Sequence, residues 1–306
     1  MGAGGQDGSI LSEELVAVGR DVLGLGRKEE YPYELPSSQF RYAALDLSDS
    51  SALARCLEDF QPDEIYHVAA VHGSAGFEYE QVWGEALDVN VKSFHTALEY
   101  ARRRPGVRLF YASSAKIFGH VLRGPISLST PRAGECLYSI TKKAAGQLAD
   151  YYRRNYGVVA SVGILFNHES ERRAPEYFIP RLCRILRMAL QDPSYREKVH
   201  TLSFHCDWSS ARDFMRMAIA AVEKPVKGEF IFASGVTWSG RDFARELFSR
   251  YGLDYSKHVE ADDDVERQSF SVDLRDTRSA MNFVMREDIF SVCAALVEKP
   301  KAATTI

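Results

Sequence analysis

The chain has 306 residues, 45% of them hydrophobic and 26% charged, with a formal net charge of −4. That balance excludes a disordered or collagen-like chain and leaves apolar mass for one large domain or two modest ones. No apolar run nears the ~18 residues of a membrane span, and no basic stretch leads into an apolar N-terminal core. A pI near 6.1 argues against a nucleic-acid partner. A cytoplasmic protein with neither membrane nor nucleic acid as partner is the expectation. Cys56, Cys136, Cys183, Cys206 and Cys293 are scattered without a Cys-x-x-Cys pair. They fit neither a disulfide framework nor a metal site and are expected to be buried thiols.

β-rich runs alternate with helical periodicity along the chain. A helix is predicted over Leu11 to Val18, strands over Asp21 to Leu25 and Arg41 to Leu45, a helix over Ser51 to Phe60 and a strand over Glu64 to Val68. The next helix is Val89 to Arg103, the next strand Arg108 to Ala112, then a helix over Tyr138 to Asn155 and a strand over Val158 to Leu165. Beyond Leu165 the alternation loosens. Helices at Pro175 to Leu190, Ala211 to Glu223, Arg241 to Tyr251 and Glu287 to Val297, and a strand at Glu229 to Ala233, are joined by long irregular segments. Asp262 to Asp264 reads as a solvated acidic loop. Strand then helix, repeated, predicts an α/β, Rossmann-like doubly wound parallel sheet. Residues 1–165 and 202–234 would form this domain, and 166–201 with 235–306 a smaller substrate lobe.

Gly2, Gly5 and Gly8 stand at three-residue spacing before a helical pattern, which lets backbone amides approach a pyrophosphate at a helix start. A flexible tail is the plain alternative; the helix and the strand Asp21 to Leu25 that follow favour the dinucleotide loop. The strand that should precede such a loop is absent, because Met1 stands directly before Gly2, and the expectation is a truncated gene product with its central strand missing. After the next strand the chain reads Arg27-Lys28, two cations suited to a 2′-phosphate and hence to NADP, with NAD as the alternative. Glu29 and Glu30 allow a solvated turn instead. Tyr138 and Lys142 fall one helical turn apart, where the lysine is expected to lower the phenol's pKa so that Tyr138 takes a hydroxyl proton. The same spacing arises often by chance. Ser113 and Ser114, just past a strand on the carboxyl edge, strengthen the chemical reading.

Taken with the glycine loop, Ser113-Ser114-Ala115-Lys116-Ile117-Phe118-Gly119 and Tyr138-x-x-x-Lys142 resemble the extended short-chain dehydrogenase/reductases. Within them the chain is most similar to the GDP-mannose 4,6-dehydratase family. The segments that carry this likeness are Gly5 to Ser9, Gln61 to Glu64, Phe166-Asn167-His168-Glu169-Ser170 with Arg172-Arg173, Asp207-Trp208 and Ala233 to Val236. The resemblance implies hydride transfer at C4 of a nucleotide sugar, a GDP-sugar above all, by a homodimer or homotetramer. It implies that Ser114, Tyr138 and Lys142 act in catalysis. It also implies cofactor binding by Gly2, Gly5, Gln6, Asp7, Gly8, Arg27, Lys28, Asp46, Leu47, Ala69, Ala70, His168 and Arg173. Asn167 would face the sugar, and Arg267 would clamp the diphosphate.

The chain departs from the resembled pattern at Lys116, where the dehydratases carry the glutamate that removes the C5 proton. Elimination beside a ketone needs a base and then an acid. A lysine with a depressed pKa would serve as that base; otherwise dehydration is lost. Cys206 stands in place of a cation, and Ser271 in place of a glutamate near the nucleotide ribose. The readings are a dehydratase-branch enzyme, a 4-ketosugar reductase or epimerase, and a catalytically silent NADP-binding protein.

Overall fold

Local chemistry sets the ends of the elements that carry the sheet. The computed structural model describes residues 1–73, 77–224, 228–262 and 268–298. Gly5 opens α1 (Gln6–Ala17) with no side-chain cap over its first amides. β1 (Val22–Gly26) and β2 (Phe40–Ala44) follow and pair in parallel. α2 (Ser50–Phe60) starts where the Asp49 carboxylate caps the Ser51 and Ala52 amides and stops at Gln61 in the left-handed region. Next come β3 (Glu64–His67), α3 (Trp83–Leu87), a π turn (Asp88–Lys92), α4 (Ser93–Arg103), β4 (Arg108–Ser114) and β5 (Gly124–Ile126). α5 (Leu137–Tyr156) ends at Gly157, whose φ of 70° favours glycine, and β6 (Val159–Leu165) and β7 (Asn167–Glu169) follow. The remaining elements are α6 (Phe178–Gln191), β8 (Glu197–Thr201), β9 (His205–Ser210), α7 (Ala211–Glu223), β10 (Gly228–Phe232), β11 (Thr237–Ser239), α8 (Gly240–Ser249), β12 (Val259–Asp262), β13 (Phe270–Val272), α9 (Arg275–Met281) and α10 (Ile289–Glu298).

The sheet runs β10-β6-β4-β3, all parallel, as the strand-helix alternation predicts, and β1-β2 form a separate parallel pair. Between β1 and β3 lies Met1, whose ammonium donates to the Tyr66 carbonyl (2.8 Å) and whose carbonyl accepts from the Val68 N–H (3.2 Å). On its other side the Gly2 and Ala3 amides donate to the Leu25 carbonyl (2.8 and 2.9 Å). Apolar side chains fill both faces. Leu53, Leu57, Phe94, Leu98, Tyr111 and Ala149 pack on one, and Ile10 and Leu15 with Phe214, Met215 and Phe232 on the other. A further core joins α6, α8 and α10 around Leu182, Leu186, Trp208, Phe243, Phe248 and Phe290, with the Phe243 and Phe290 rings stacked at 5.0 Å.

Three sequence expectations need correction. The first helix begins at Gln6, five residues before Leu11, because the residues read as loop already lie in helix once Gly5 opens it. The stretch after Leu165 is not merely irregular: β11-β9-β7 form one small sheet, β12-β8 and β13-β5 two more, from strands of three to six residues too short to show period. The cysteines are not uniformly buried. Cys183 and Cys293 are buried, Cys56 and Cys206 half-buried, and Cys136 is exposed at the start of α5, where its Sγ accepts from the Ser139 amide.

Candidate active site

The carboxyl ends of the parallel strands bring the glycine turn, the Ser114 region and the start of α5 to one edge. Two glycines there are required by space. A Cβ on Gly8 would lie 2.0 Å from the Gly2 carbonyl oxygen, and one on Gly2, whose φ is +88°, would lie 2.8 Å from Ala69 backbone. Gly5, by contrast, would meet only the Gly2 oxygen at 3.5 Å, so the outer face of the turn is open beside the uncapped start of α1. An open turn at a helix N-terminus suits an anion.

Tyr138 and Lys142 lie on the inner face of α5 at 7% and 1% exposure. The Ser114 side chain, at the end of β4, lies close enough to the Tyr138 phenol to favour its ionised form. Lys142 Nζ donates to the Ala112 carbonyl at 2.7 Å and lies 5.6 Å from the centre of the Tyr138 ring. Burial pushes the lysine down to about 7, against the attraction of Asp7. It also pushes the Tyr138 phenol well up, with Tyr79 adding and Ser114 only partly opposing. The expected lowering of the phenol by Lys142 is therefore corrected: the amine is spent on a backbone carbonyl, and desolvation dominates.

Two aromatic groups flank this tyrosine that the sequence did not single out. The His72 ring stacks on Tyr138 with centroids 4.4 Å apart, Tyr79 lies at 5.8 Å, and the Tyr79 hydroxyl pairs with His72 Nδ1. His72 is exposed, yet the protein packed around its ring, then the charges of Arg173, Lys142, Lys116 and His168, lower it to about 4. The signal was its place two residues after Ala70, on the same carboxyl edge as Ser114.

Deeper in, Asp7 and His168 form an ion pair. Nε2 of His168 donates to the Asp7 carboxylate at 3.0 Å and Nδ1 donates to the Phe166 carbonyl at 2.7 Å, so both ring nitrogens carry protons. Burial opposes charge on both partners, yet each outweighs it for the other: Asp7 is lowered and His168 raised. Gln6 ties the same strand to the turn, donating to the His168 carbonyl and accepting from the Ser170 hydroxyl. Beside them Glu169 is 2% exposed and raised to about 7 by burial, with Arg173 only partly opposing. Glu169 Oε2 and Arg173 Nε stand 3.5 Å apart without a hydrogen-bond partner, and the guanidinium lies 3.6 Å over the Tyr177 ring.

Other candidates sit at the rim. Arg27 pairs with Glu85 at 2.6 Å and is 70% exposed, and Lys28 is also exposed. Asp46, exposed, accepts from the Ser48 amide, Leu47 is buried, and Ala69 and Ala70 follow β3 at the same edge. Lys116 is exposed on the 3-10 turn Ala115–Phe118 after β4, and Asn167 is exposed at the start of β7. Arg267 lies outside the described residues. Among the described residues no cluster of metal-ligating side chains occurs, and no helix is long and apolar enough to cross a membrane.

Known proteins match this arrangement along most of the chain. The sequence profile of the family described as GDP-mannose 4,6 dehydratase matches residues 1–291. A GDP-mannose 4,6-dehydratase of Vibrio cholerae is 30% identical over 262 residues, covering 80% of this chain and 70% of that enzyme. GDP-mannose 4,6 dehydratase 2 of Caenorhabditis elegans is 29% identical over 266 residues, 82% of this chain and 69% of its own. In fold, the chain is similar to dTDP-glucose 4,6-dehydratase of Bacillus anthracis in complex with NAD, with a TM-score of 0.80 at 15% identity over 97% of this chain and 94% of that one. It is also similar to UDP-glucose 4-epimerase of Thermotoga maritima with UDP-glucose, with a TM-score of 0.79 at 15% identity over 97% and 96%.

Proposed function

The chain belongs to the GDP-mannose 4,6-dehydratase family, and from that membership we propose that it is an NADP-dependent enzyme that transfers hydride at C4 of a GDP-hexose-like sugar. The observation that carries this reading is the convergence of Ser114, Tyr138 and Lys142 beside the Gly2 to Gly8 turn. A dinucleotide fits the residues present: the open face beside Gly5 and the uncapped amides of α1 suit its pyrophosphate, and Arg27 and Lys28 suit a 2′-phosphate. Gln6, Asp7, Gly8, Asp46, Leu47, Ala69, Ala70, His168 and Arg173 complete the proposed cofactor walls, and Asn167 the sugar side. The core of α6, α8 and α10 is the proposed substrate lobe. Bound nicotinamide supplies a hydride acceptor and donor. Tyr138, held as the protonated phenol, donates its proton to the C4 oxygen as hydride reaches C4, with the reverse transfer serving oxidation; Ser114 orients that oxygen, and the buried Lys142 amine lies beside the phenol ring.

Lys116 favours a second reading, a 4-ketosugar reductase or epimerase, because no carboxylate stands at that position to serve the 4,6-elimination. A catalytically silent NADP-binding protein would have no use for the Ser114–Tyr138 contact. Incubation of the chain with NADP, NAD, NADPH or NADH and a panel of nucleotide sugars and their 4-keto forms, followed by chromatography and product mass, tests all three. Loss of water marks the dehydratase, gain of hydride from NADPH the reductase, and an isomer of equal mass the epimerase. No product from any sugar overturns the enzymatic reading.

A further inference from the structure

The turn that follows β4 is pinned by its own backbone. Ser114 Oγ accepts the Lys116 N–H at 3.3 Å, and the Lys116 carbonyl accepts from the Gly119 N–H at 3.2 Å. The Ile117 carbonyl accepts from the Gly134 N–H at 2.8 Å, in the loop that leads into α5. A Cβ on Gly134 would stand 2.2 Å from the Lys116 carbonyl oxygen, so that loop lies directly on the turn. Ile117 and Phe118 are buried, whereas Lys116 is exposed. A fixed turn therefore presents one cation two residues past the serine that orients the C4 oxygen. That cation has no counter-ion. His168 has Asp7 and Arg173 has Glu169, but among the described residues no carboxylate pairs with Lys116. Its charge is felt at His72, which stacks on Tyr138, and at Cys206 on β9, which places the ammonium within Coulombic range of both.

A hexose held by its C4 oxygen turns the substituents of C3 and C5 to either side of that oxygen. The C3 hydroxyl is neutral. C6, carried on C5, is neutral as an alcohol and anionic as a carboxylate. An unpaired ammonium gains little beside an alcohol and makes a charge-assisted hydrogen bond beside a carboxylate. A sugar oxidised at C6 also has no C6 hydroxyl to expel, which fits a turn with no carboxylate to act as base. Resting on the reading of this site as a nucleotide-sugar enzyme, we propose that its substrate is a nucleoside-diphosphate hexuronate whose C6 carboxylate is bound by Lys116.

The experiment gives the full chain, with NADP or NAD, pairs of sugars that differ only at C6: UDP-glucose with UDP-glucuronate, and GDP-mannose with GDP-mannuronate. It reads kcat/KM for conversion at C4 by chromatography and Kd by titration. In at least one pair the uronate should be preferred by about tenfold or more. Lys116→Arg should keep that preference, and Lys116→Ala should cut it by about fivefold or more through KM. Lys116→Glu, which sets like charges together, should turn it toward the neutral sugar. Equal use of the two members of both pairs, or preference for the neutral member in both, overturns the proposal. So does a loss in Lys116→Ala that is the same for uronate and hexose, as expected of a cation on the shared diphosphate. Conversion of neither member overturns the enzymatic reading instead; the Kd values then still compare the two, and equal values overturn uronate binding as well.

Discussion

The two charged centres of the cleft are built from similar parts and come out opposite. Lys142 and Tyr138 share one buried helix face, and burial wins at both: the amine falls to about 7 and the phenol rises. Asp7 and His168 are enclosed too, yet there the ion pair wins and both hold their charges more firmly than in water. The difference lies in geometry. Lys142 donates to a neutral carbonyl, whereas His168 donates straight into a carboxylate. A buried ionisable group keeps its charge when an opposite charge sits at hydrogen-bond distance and loses it when only dipoles do. The first centre is suited to moving a proton and the second to fixing the glycine turn against β7.

The sharpest test of the proton-moving centre is Tyr138→Phe, which removes the ionisable hydroxyl and keeps the ring against His72. Hydride transfer should fall by about 10²- to 10⁴-fold while the dissociation constant for NADP, read by fluorescence titration, changes little. Unchanged turnover would remove Tyr138 from the chemistry.

For the structural centre, Asp7→Asn takes away the carboxylate and leaves the imidazole enclosed. The expected cost is about 1–3 kcal/mol of stability near pH 6, read by denaturant melts. The pH dependence has a definite sign. His168 is raised above its ordinary 6.5, so its contribution is full below 6.5 and is lost as pH rises through the higher folded value. Asp7 is lowered, so its contribution is full above 3.8 and is lost as pH falls through the folded value. The advantage of the native chain over Asp7→Asn should thus be greatest between about pH 4 and 6.5. By NMR, His168 should titrate above 6.5 in the native chain and below it in the variant, where burial and the charge of Arg173 are opposed only by the bond to the Phe166 carbonyl. An advantage that grows from pH 7 to 9 would contradict the pairing.

The two centres also differ in how far they could be read beforehand. Tyr138-x-x-x-Lys142 and Ser114 were visible because helical spacing and a strand end are local patterns, and the structure brings those residues together. The sign of the phenol's shift was not visible, since it depends on where the Lys142 amine points and on how much protein surrounds both groups. Asp7 and His168 are 161 residues apart, and only the fold puts them in contact. His72 was missed for the same reason: its stacking on Tyr138 is set by the chain's path after β3, which no periodicity encodes. The parallel sheet was legible from strand and helix alternation, whereas the three-residue strands β5, β7, β11 and β13 fell below the length at which alternation can be recognised.

At the rim, charge should matter less because solvent screens it. Arg27 is 70% exposed and already paired with Glu85, so Arg27→Ala should weaken NADP by only about two- to fivefold and leave NAD unaffected. Equal loss for both cofactors, measured by titration at fixed salt, would assign Arg27 to the shared part of the dinucleotide.

The smallest expected effect is at Lys116, and it separates the enzyme readings most clearly. Lys116 is exposed and belongs to neither centre: its backbone amide bonds to Ser114 Oγ at 3.3 Å, while its side chain contributes positive charge at His72 and Cys206. A lysine ammonium has no lone pair with which to take a proton from C5. Lys116→Ala should therefore leave C4 oxidation or reduction within about twofold, since proton transfer at C4 rests on Tyr138. Lys116→Glu restores a carboxylate to the turn after β4, and water loss gained by that variant, seen as a product 18 mass units lighter, would mean that the rest of the elimination machinery is intact. If the native chain itself removes water from GDP-mannose and Lys116→Ala stops at a 4-keto product that retains its C6 hydroxyl, the lysine is the base and the reading without elimination fails.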